Sequence, residues 1–211
     1  MRKGLAAIGL MTLVAVQPPA HAHPHVFVDV DMELEVAEDG DLRAIRYDWM
    51  FDDMYSAFAM QGLPRTNGAP TETALAKVAD AIIEKLDDVD YFTKAAAEGH
   101  DLQATGAQQA RATFDDGRLR LAFTVTLRAI GGAADRVNVQ VFDPQYVVAV
   151  SVKDGVRVRG PARCTHQLLR AGPLDANDAR QLDDSLRTNQ LAANFGSKLA
   201  TTIALDCRTA K

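Results

Sequence analysis

The chain has only two cysteines, Cys164 and Cys207, among its 211 residues. No apolar run beyond residue 22 approaches the ~20 residues that a membrane-spanning helix needs, so we expect the rest of the chain to be soluble. Glycine-rich phosphate loops, Gly-x-Ser-x-Gly elbows and Cys-x-x-Cys pairs are absent as well. These absences argue against the enzyme classes that such motifs mark, and we expect a non-enzymatic role.

The first 22 residues have the pattern of a cleavable secretory signal. Arg2 and Lys3 precede the apolar run 5–16, and Ala20 and Ala22 supply the small side chains that a signal peptidase requires. Residues 1–22 are therefore predicted to be a signal peptide. Residues 23–211 are predicted to be a single periplasmic α+β domain, with a candidate subdivision near residue 160.

Removing this leader makes the chain more acidic. The leader holds two of the 23 Lys and Arg residues and none of the 28 Asp and Glu residues, which leaves a formal charge of −7. A chain of this charge has no electrostatic reason to bind nucleic acid or an anionic lipid surface. In an exported chain, two cysteines predict one disulfide, Cys164–Cys207. A two-thiolate metal site is the less favoured alternative, because neither cysteine has a second cysteine nearby.

The beginning of the mature chain predicts a β-hairpin. Apolar and polar residues alternate over residues 26–36, which is the period of a half-buried strand. Residues 38–41 form a turn, and 42–51 are the return strand. Pairing Ala37 with Leu42 matches apolar with apolar side chains along the hairpin, and it sets Glu33 opposite Arg46 and Asp31 opposite Asp48.

The remaining elements are predicted from periodicity and turn residues. Asp52 is expected to cap a short helix that ends at Gln61, and helical spacing from Glu72 to about Asp88 indicates a long amphipathic helix. Strands dominate from residue 91 to residue 159, and Asp175 is expected to cap a further helix. We therefore predict an α+β fold with a largely antiparallel β-sheet or sandwich, one long amphipathic helix and two or three short helices.

The acidic face of the first strand is a candidate metal site. His23 and His25 form a His-x-His pair, and His25 is in phase with Asp29 and Asp31, so the predicted ligands are His23, His25, Asp29, Asp31 and Asp48. Opposed Asp31 and Asp48 would repel each other without a cation between them. The alternative is a solvated face whose acids are neutralised by Arg46 or Arg43.

Four further residues are candidate additional ligands: His100, His166, Asp52 and Asp53. For the two histidines an ordinary surface position competes with this interpretation, and for Asp52 helix capping does. Pro24 has no amide hydrogen, so a third-position histidine cannot wrap Cu(II) or Ni(II) through deprotonated backbone amides. Nitrogen and oxygen donors without thiolate suit Zn, Ni, Co or Cu(II) and do not distinguish among them.

Several short motifs resemble domain-of-unknown-function family 1007, often described as a periplasmic component of uncharacterised ABC-type transport systems. The matching segments are His23–Asp29, Trp49–Phe58, Tyr91–Thr93, Phe142–Tyr146, the Phe195-Gly196 pair and Cys207. The resemblance implies an exported protein associated with transition-metal transport, in which His23, His25, Asp29, Asp52 and Asp53 are site candidates. Many relatives have an Asp-rich loop after the short helix, but residues 62–69 contain no carboxylate, which argues against calcium binding there.

Three functions remain open at this stage. The first is a periplasmic accessory protein that binds a divalent transition metal and exchanges it with a membrane metal transporter. The second is a copper-dependent oxidoreductase that uses an amino-terminal histidine brace at His23. The third is a metal-free periplasmic interaction module that uses the segment 49–58 to dock a partner.

Overall fold

The computed structural model describes residues 24–128, 135–161, 164–188 and 194–207. Most of these residues form strands. The strands are β1 (Val26–Val36), β2 (Leu42–Phe51), β3 (Arg65–Thr66), β4 (Ala69–Pro70), β5 (Thr93–Ala97), β6 (His100–Asp115), β7 (Arg118–Arg128), β8 (Arg136–Val141), β9 (Val148–Val152), β10 (Arg157–Arg159), β11 (Thr165–Leu169) and β12 (Thr202–Asp206). The helices are α1 (Asp53–Ala59), α2 (Glu72–Asp87) and α3 (Ala176–Thr188).

Ten of these strands belong to one curled sheet, in the order β10-β1-β2-β7-β6-β5-β8-β12-β11, with β9 also paired to β1. Arg170, just after β11, donates from Nη1 to the carbonyl oxygen of Val152 in β9 at 3.1 Å. This bond joins the last strand of the sheet to a strand at the opposite side, so the curled sheet surrounds its own core. Strands before and after residue 160 belong to this same sheet.

The predicted register of the first hairpin is confirmed over most of its length. Glu33 pairs with Arg46, Asp31 with Asp48 and Val30 with Trp49. The pairing of Ala37 with Leu42 is wrong, because the register shifts after Glu35 and Val36 faces Leu42 instead. The Asp39 carboxylate accepts from the Asp41 N–H at 3.0 Å, and the tighter turn that this bond closes leaves one extra residue on β2.

The prediction of a largely antiparallel sheet is confirmed for most neighbours, but two pairs are parallel. Val26–Val30 of β1 pairs with β9, and Glu33–Glu35 of β1 pairs with β10, both in parallel. Because β9 and β10 follow β1 by more than a hundred residues, no hairpin turn in the sequence indicates that either strand pairs with β1. The described residues form one curled sheet, and a sandwich arrangement is not shown.

Two helices begin at the predicted caps, Asp52 for α1 and Asp175 for α3. The Asp175 carboxylate accepts from the N–H groups of Asn177 and Asp178, which begins α3, and Thr71 caps α2 through the N–H of Ala74. Helix α1 ends at Ala59, two residues before the predicted end. The predicted loop 62–70 contains the small β3–β4 hairpin. Within the described residues no helix is long and apolar enough to cross a membrane.

The core lies on the inner face of the sheet and contains a group of aromatic rings. Trp49 is 1% exposed, and its ring stacks on Phe92 with a centroid distance of 6.3 Å. Phe92 reaches it from a tight turn in which Asp90, Tyr91 and Phe92 all have φ near +50°. Such left-handed backbone costs about 1–2 kcal/mol per residue, so packing against Trp49 must offset this strain.

The predicted disulfide is present. Cys164 and Cys207 are bonded to each other, with their Cα atoms 4.1 Å apart and 43 positions between them in sequence. Cys164 immediately precedes β11 and Cys207 follows β12, so the bond joins the ends of two paired strands. In the part of the chain that the structure describes, neither cysteine is a free thiolate donor for a metal.

Candidate metal centre at the start of strand β1

The start of β1 is held in place by the loop before β9. The N–H groups of His25 and Val26 both donate to the carbonyl oxygen of Val147, at 2.8 and 3.3 Å. The His25 side chain is exposed at this position. The backbone of His25, immediately before β1, is therefore fixed by a residue far away in sequence.

Asp143 shapes the loop that carries Val147. The Asp143 carboxylate is buried and accepts hydrogen bonds from the N–H groups of Gln145, Val147 and Val148 at 2.8–2.9 Å. Sequence analysis did not single out this residue, although Asp-Pro is a known turn signal. Asp143 thus positions His25 indirectly, through the one carbonyl group that both N–H groups share.

Gly196 makes the same loop possible from the other side. A Cβ atom at residue 196 would lie 2.0 Å from the carbonyl oxygen of Asp143 and 3.2 Å from the Phe142 ring. Only glycine allows this approach of two backbones. The motif segments Phe142–Tyr146 and Phe195-Gly196 therefore form one structural unit that supports the start of β1.

Asp52 connects β1 to α1. Its Oδ2 accepts from the Phe27 N–H at 2.7 Å, and its Oδ1 accepts from the Tyr55 N–H at 2.8 Å as the cap of α1. Although burial raises the pKa of this carboxyl, the hydrogen bonds from Phe27, Tyr55 and Met54 and the charge of Arg118 outweigh it, and the pKa lies below its usual value. Both carboxylate oxygens bind backbone N–H groups, so capping accounts for Asp52.

The Asp53 carboxylate is exposed at this end of the sheet. Its side chain is 89% exposed, and Oδ1 lies 3.5 Å from Nε of Arg118. The same Nε donates to the carbonyl oxygen of Phe51 at 2.8 Å, so Arg118 is shared between two acceptors. Asp53 is therefore available to a ligand near the start of β1 at the cost of one weak, exposed ion pair.

The acidic column on the outer face of the first hairpin carries its own cations. Arg120 of β7 forms a two-pronged ion pair with Asp48, with Nε–Oδ1 and Nη2–Oδ2 distances of 2.5 and 2.6 Å. Its hydrogen bonds with Asp48 are the main cause that raises the pKa of Arg120, and the charge of Asp31 contributes. Lys153 lies 2.9 Å from Asp29. Asp48 and Asp29 are thus each paired with a cation of the protein, and the charge of Arg120 also acts on Asp31.

Neither arginine expected to neutralise the column does so. Arg46 faces Glu33 and Glu35 at 3.8 and 3.5 Å, and Arg43 pairs with Asp39 and Asp41 in the turn. Arg157 and Arg159 of β10 also contact Glu33. The expectation was wrong because the cations on the column, Arg120 of β7 and Lys153 just after β9, come from more distant parts of the sequence.

Spacing separates the predicted ligands into groups. His25 and Asp29 are four positions apart on one strand, about 13 Å at the usual rise per residue. A metal ion contacts its ligands at about 2–2.6 Å, so one ion does not bind both side chains. Across the described residues, no three His, Cys, Asp or Glu side chains converge on one point. His23 lies outside the described residues.

His100 and His166 are far from each other. They lie in one row of paired residues that runs from His100 on β6 through Ala97, Val137 and Leu205 to His166 on β11. The row spans four strand spacings, or about 19 Å. The part of β6 that follows His100 pairs with β7, and the same part of β7 pairs with the start of β2. That is the end of the first hairpin opposite to His25, so His100 is not close to the candidate centre.

These features define a disulfide-bonded, mostly β-sheet protein in which an exposed histidine immediately precedes the first strand. The chain belongs to the family described as "Protein of unknown function (DUF1007)", whose model matches residues 8–207. The match covers nearly the whole chain and includes the segments that form the loop around Asp143, the cap of α1 and the disulfide. No curated protein matches the chain.

Proposed function

We propose that the protein is a periplasmic accessory protein that binds a divalent transition metal at the start of β1 and exchanges it with a membrane metal transporter. One observation carries this proposal. The exposed His25 lies at a position whose backbone is fixed by Val147 and Asp143, two residues after His23. Backbone hydrogen bonds immediately before β1 fix the main chain that carries the His25 imidazole, which lowers the cost of binding an ion.

The proposed ligands are His23 and His25, with Asp53, whose side chain is 89% exposed, as the candidate oxygen donor. Asp52 is bound to backbone N–H groups, and Asp29 and Asp48 are bound to Lys153 and Arg120. We therefore assign the column Asp29, Asp31 and Asp48 an electrostatic role at a distance rather than direct coordination. Zn, Ni, Co and Cu(II) all remain candidates, since the donor types suit each of them.

Isothermal titration of protein that begins at His23 tests the proposal, with Zn, Ni, Co and Cu(II) offered separately. We expect His25→Ala to lose most of the affinity, and Asp53→Asn to lose less. His100→Ala is the matched control, because His100 is also exposed on a strand and lies away from the candidate centre. Protons compete with metals for imidazole, so affinity should fall in acid. Failure to bind any of these ions at micromolar concentration, or unchanged binding by His25→Ala, contradicts the proposal.

The proposal also depends on export and cleavage after Ala22. Mass spectrometry of the protein recovered from the periplasm should give His23 as the first residue, because Ala20 and Ala22 satisfy the signal-peptidase rule. A chain that still contains His21 would contradict the terminal histidine. Oxygen-dependent turnover of the copper-loaded protein with a reductant would instead favour the copper oxidoreductase.

An interaction module is the second candidate, and exposed apolar side chains favour it. Phe27, Met54 and Phe58 are 54–68% exposed at the junction of β1 and α1. Large apolar groups exposed together commonly mark a contact surface. Metal analysis of the purified, processed protein separates the two candidates, because a pure interaction module would contain no stoichiometric metal and would be unaffected by His25→Ala.

A further inference from the structure

A shallow trough crosses the outer face of the sheet, away from the start of β1. Strand pairing places Asp101, Ala96, Asn138, Ala204 and Gln167 in one row across five strands. Because the alanine side chains are short, this row is recessed relative to the rows beside it. Two adjoining cavities of about 590 and 380 Å³ lie along it, and Asn138 lines both. The trough is therefore a consequence of small residues at matched register positions.

Longer side chains form the two walls. The row on one side contains Lys94, Gln140 and Thr202, and the row on the other contains Arg136 and Asp206. Gln140 donates from Nε2 to Oγ1 of Thr202 at 2.9 Å, which orients the amide and leaves its carbonyl oxygen facing away from that bond. The trough thus combines amide groups with a floor that lets another backbone approach closely.

Two opposite charges lie at one end of this trough. Lys94 and Asp101 both line the smaller cavity, and within the described ranges neither forms an ion pair or a side-chain hydrogen bond. Asp101 faces Ala96, two positions from Lys94, and such diagonal neighbours on a sheet are about 7–8 Å apart. The pair does not neutralise itself by direct contact, unlike Asp48 and Arg120.

We propose that this trough binds a short peptide with free termini. Lys94 takes the carboxylate, Asp101 takes the ammonium group, and the side-chain amides of Asn138 and Gln140 match the donor and acceptor of the peptide groups between them. A tripeptide spans at most about 10 Å, so its two ends can reach both charges. The alanine floor leaves room for the ligand backbone.

Isothermal titration with trialanine tests this site, and acetylated, amidated trialanine is the control ligand. We expect saturable binding of trialanine at millimolar concentration and at least about five-fold weaker binding of the blocked peptide, since both exposed ion pairs are lost. Lys94→Gln and Asp101→Asn should each weaken trialanine binding about two- to five-fold. Ala96→Phe should abolish it, because Ala96 lies on the floor of the smaller cavity between Lys94 and Asp101.

Lys77→Gln is the matched control, because Lys77 is exposed on α2 outside the trough. Circular dichroism of each variant checks that the sheet is intact; Lys94 and Asp101 are exposed, so their variants should fold even if Ala96→Phe does not. Equal binding of the blocked peptide, no saturable binding of trialanine, or unchanged affinity in both charge variants would overturn the proposal. None of these outcomes depends on metal binding by His25.

Discussion

The carboxylate of Asp52 and the N–H of Phe27, 25 residues apart in sequence, are joined by a 2.7 Å hydrogen bond. The same carboxylate caps α1 through Tyr55. One side chain therefore fixes both the start of helix α1 and the start of strand β1, where Phe27 lies two residues after His25.

Asp52→Ala should lower the free energy of unfolding by about 1–2 kcal/mol, the usual cost of losing a helix cap. Asp52→Asn should cost less, because an amide retains one oxygen acceptor but not both. Urea denaturation followed by circular dichroism measures the difference. Equal stability of the alanine variant and the wild type would contradict the role of this carboxylate.

The lowered pKa of Asp52 gives this prediction a pH dependence. A carboxyl with a lower pKa in the folded state stabilises the protein above its unfolded pKa, about 3.9, and loses that contribution as the pH falls through the folded value. The stability difference between wild type and Asp52→Asn should therefore be full at pH 7 and shrink below about pH 4. A difference that stays constant down to pH 2 would show that ionisation of Asp52 does not contribute.

Gly196→Ala should destabilise the protein strongly, because the new Cβ would lie 2.0 Å from the Asp143 carbonyl oxygen. Overpacking of this kind typically costs about 1–3 kcal/mol. Gly172→Ala is the control, since a Cβ at residue 172 meets nothing within 4 Å. We expect that variant to stay within about 0.5 kcal/mol of wild type in thermal or urea unfolding. Similar losses for the two glycines would argue against the contact at Asp143.

Arg120→Gln should expose the repulsion between Asp31 and Asp48, which face each other on β1 and β2. We expect a loss of up to about 1 kcal/mol, as for a partly exposed ion pair. Asp31→Asn should recover part of it, because it removes one of the two like charges. Arg128→Gln, at the end of the same strand, is the matched control. Strict additivity of the Arg120 and Asp31 changes would show that the two aspartates do not interact.

Reduction of the disulfide should lower the free energy of unfolding by about 4 kcal/mol, because the Cys164–Cys207 bond closes a long loop in the unfolded chain. The double variant Cys164→Ala, Cys207→Ala should show the same loss without reductant. Thiol titration of the denatured, unreduced wild type should find no free cysteine. Two reactive thiols in that titration would contradict the bond.

The first hairpin was predictable because its alternation of apolar and polar residues is local. Val30 meets Trp49 and Asp31 meets Asp48 as that pattern requires, since a slip of one residue would turn every apolar side chain outward. The cap of α1 at Asp52 could also be predicted from the sequence, because a capping residue directly precedes its helix.

Long-range partners could not be predicted in this way. Arg120 reaches Asp48 across 72 positions, and β9 joins β1 in parallel with no turn to signal it. The function of Asp143 was missed because its three partners are backbone N–H groups, which carry no sequence signature. The sequence also could not predict which candidate metal ligands lie close together, because their distances depend on how the strands pair.

The contact between Gly196 and Asp143 has a consequence for the order in which the protein is completed. His25 is held by Val147, whose loop is shaped by Asp143, and that loop packs against a glycine near the end of the chain. During synthesis the segment around His25 is made first, but Val147 follows more than a hundred residues later and Gly196 later still. The backbone at His25 therefore reaches its final surroundings only after nearly all of the chain has been synthesised.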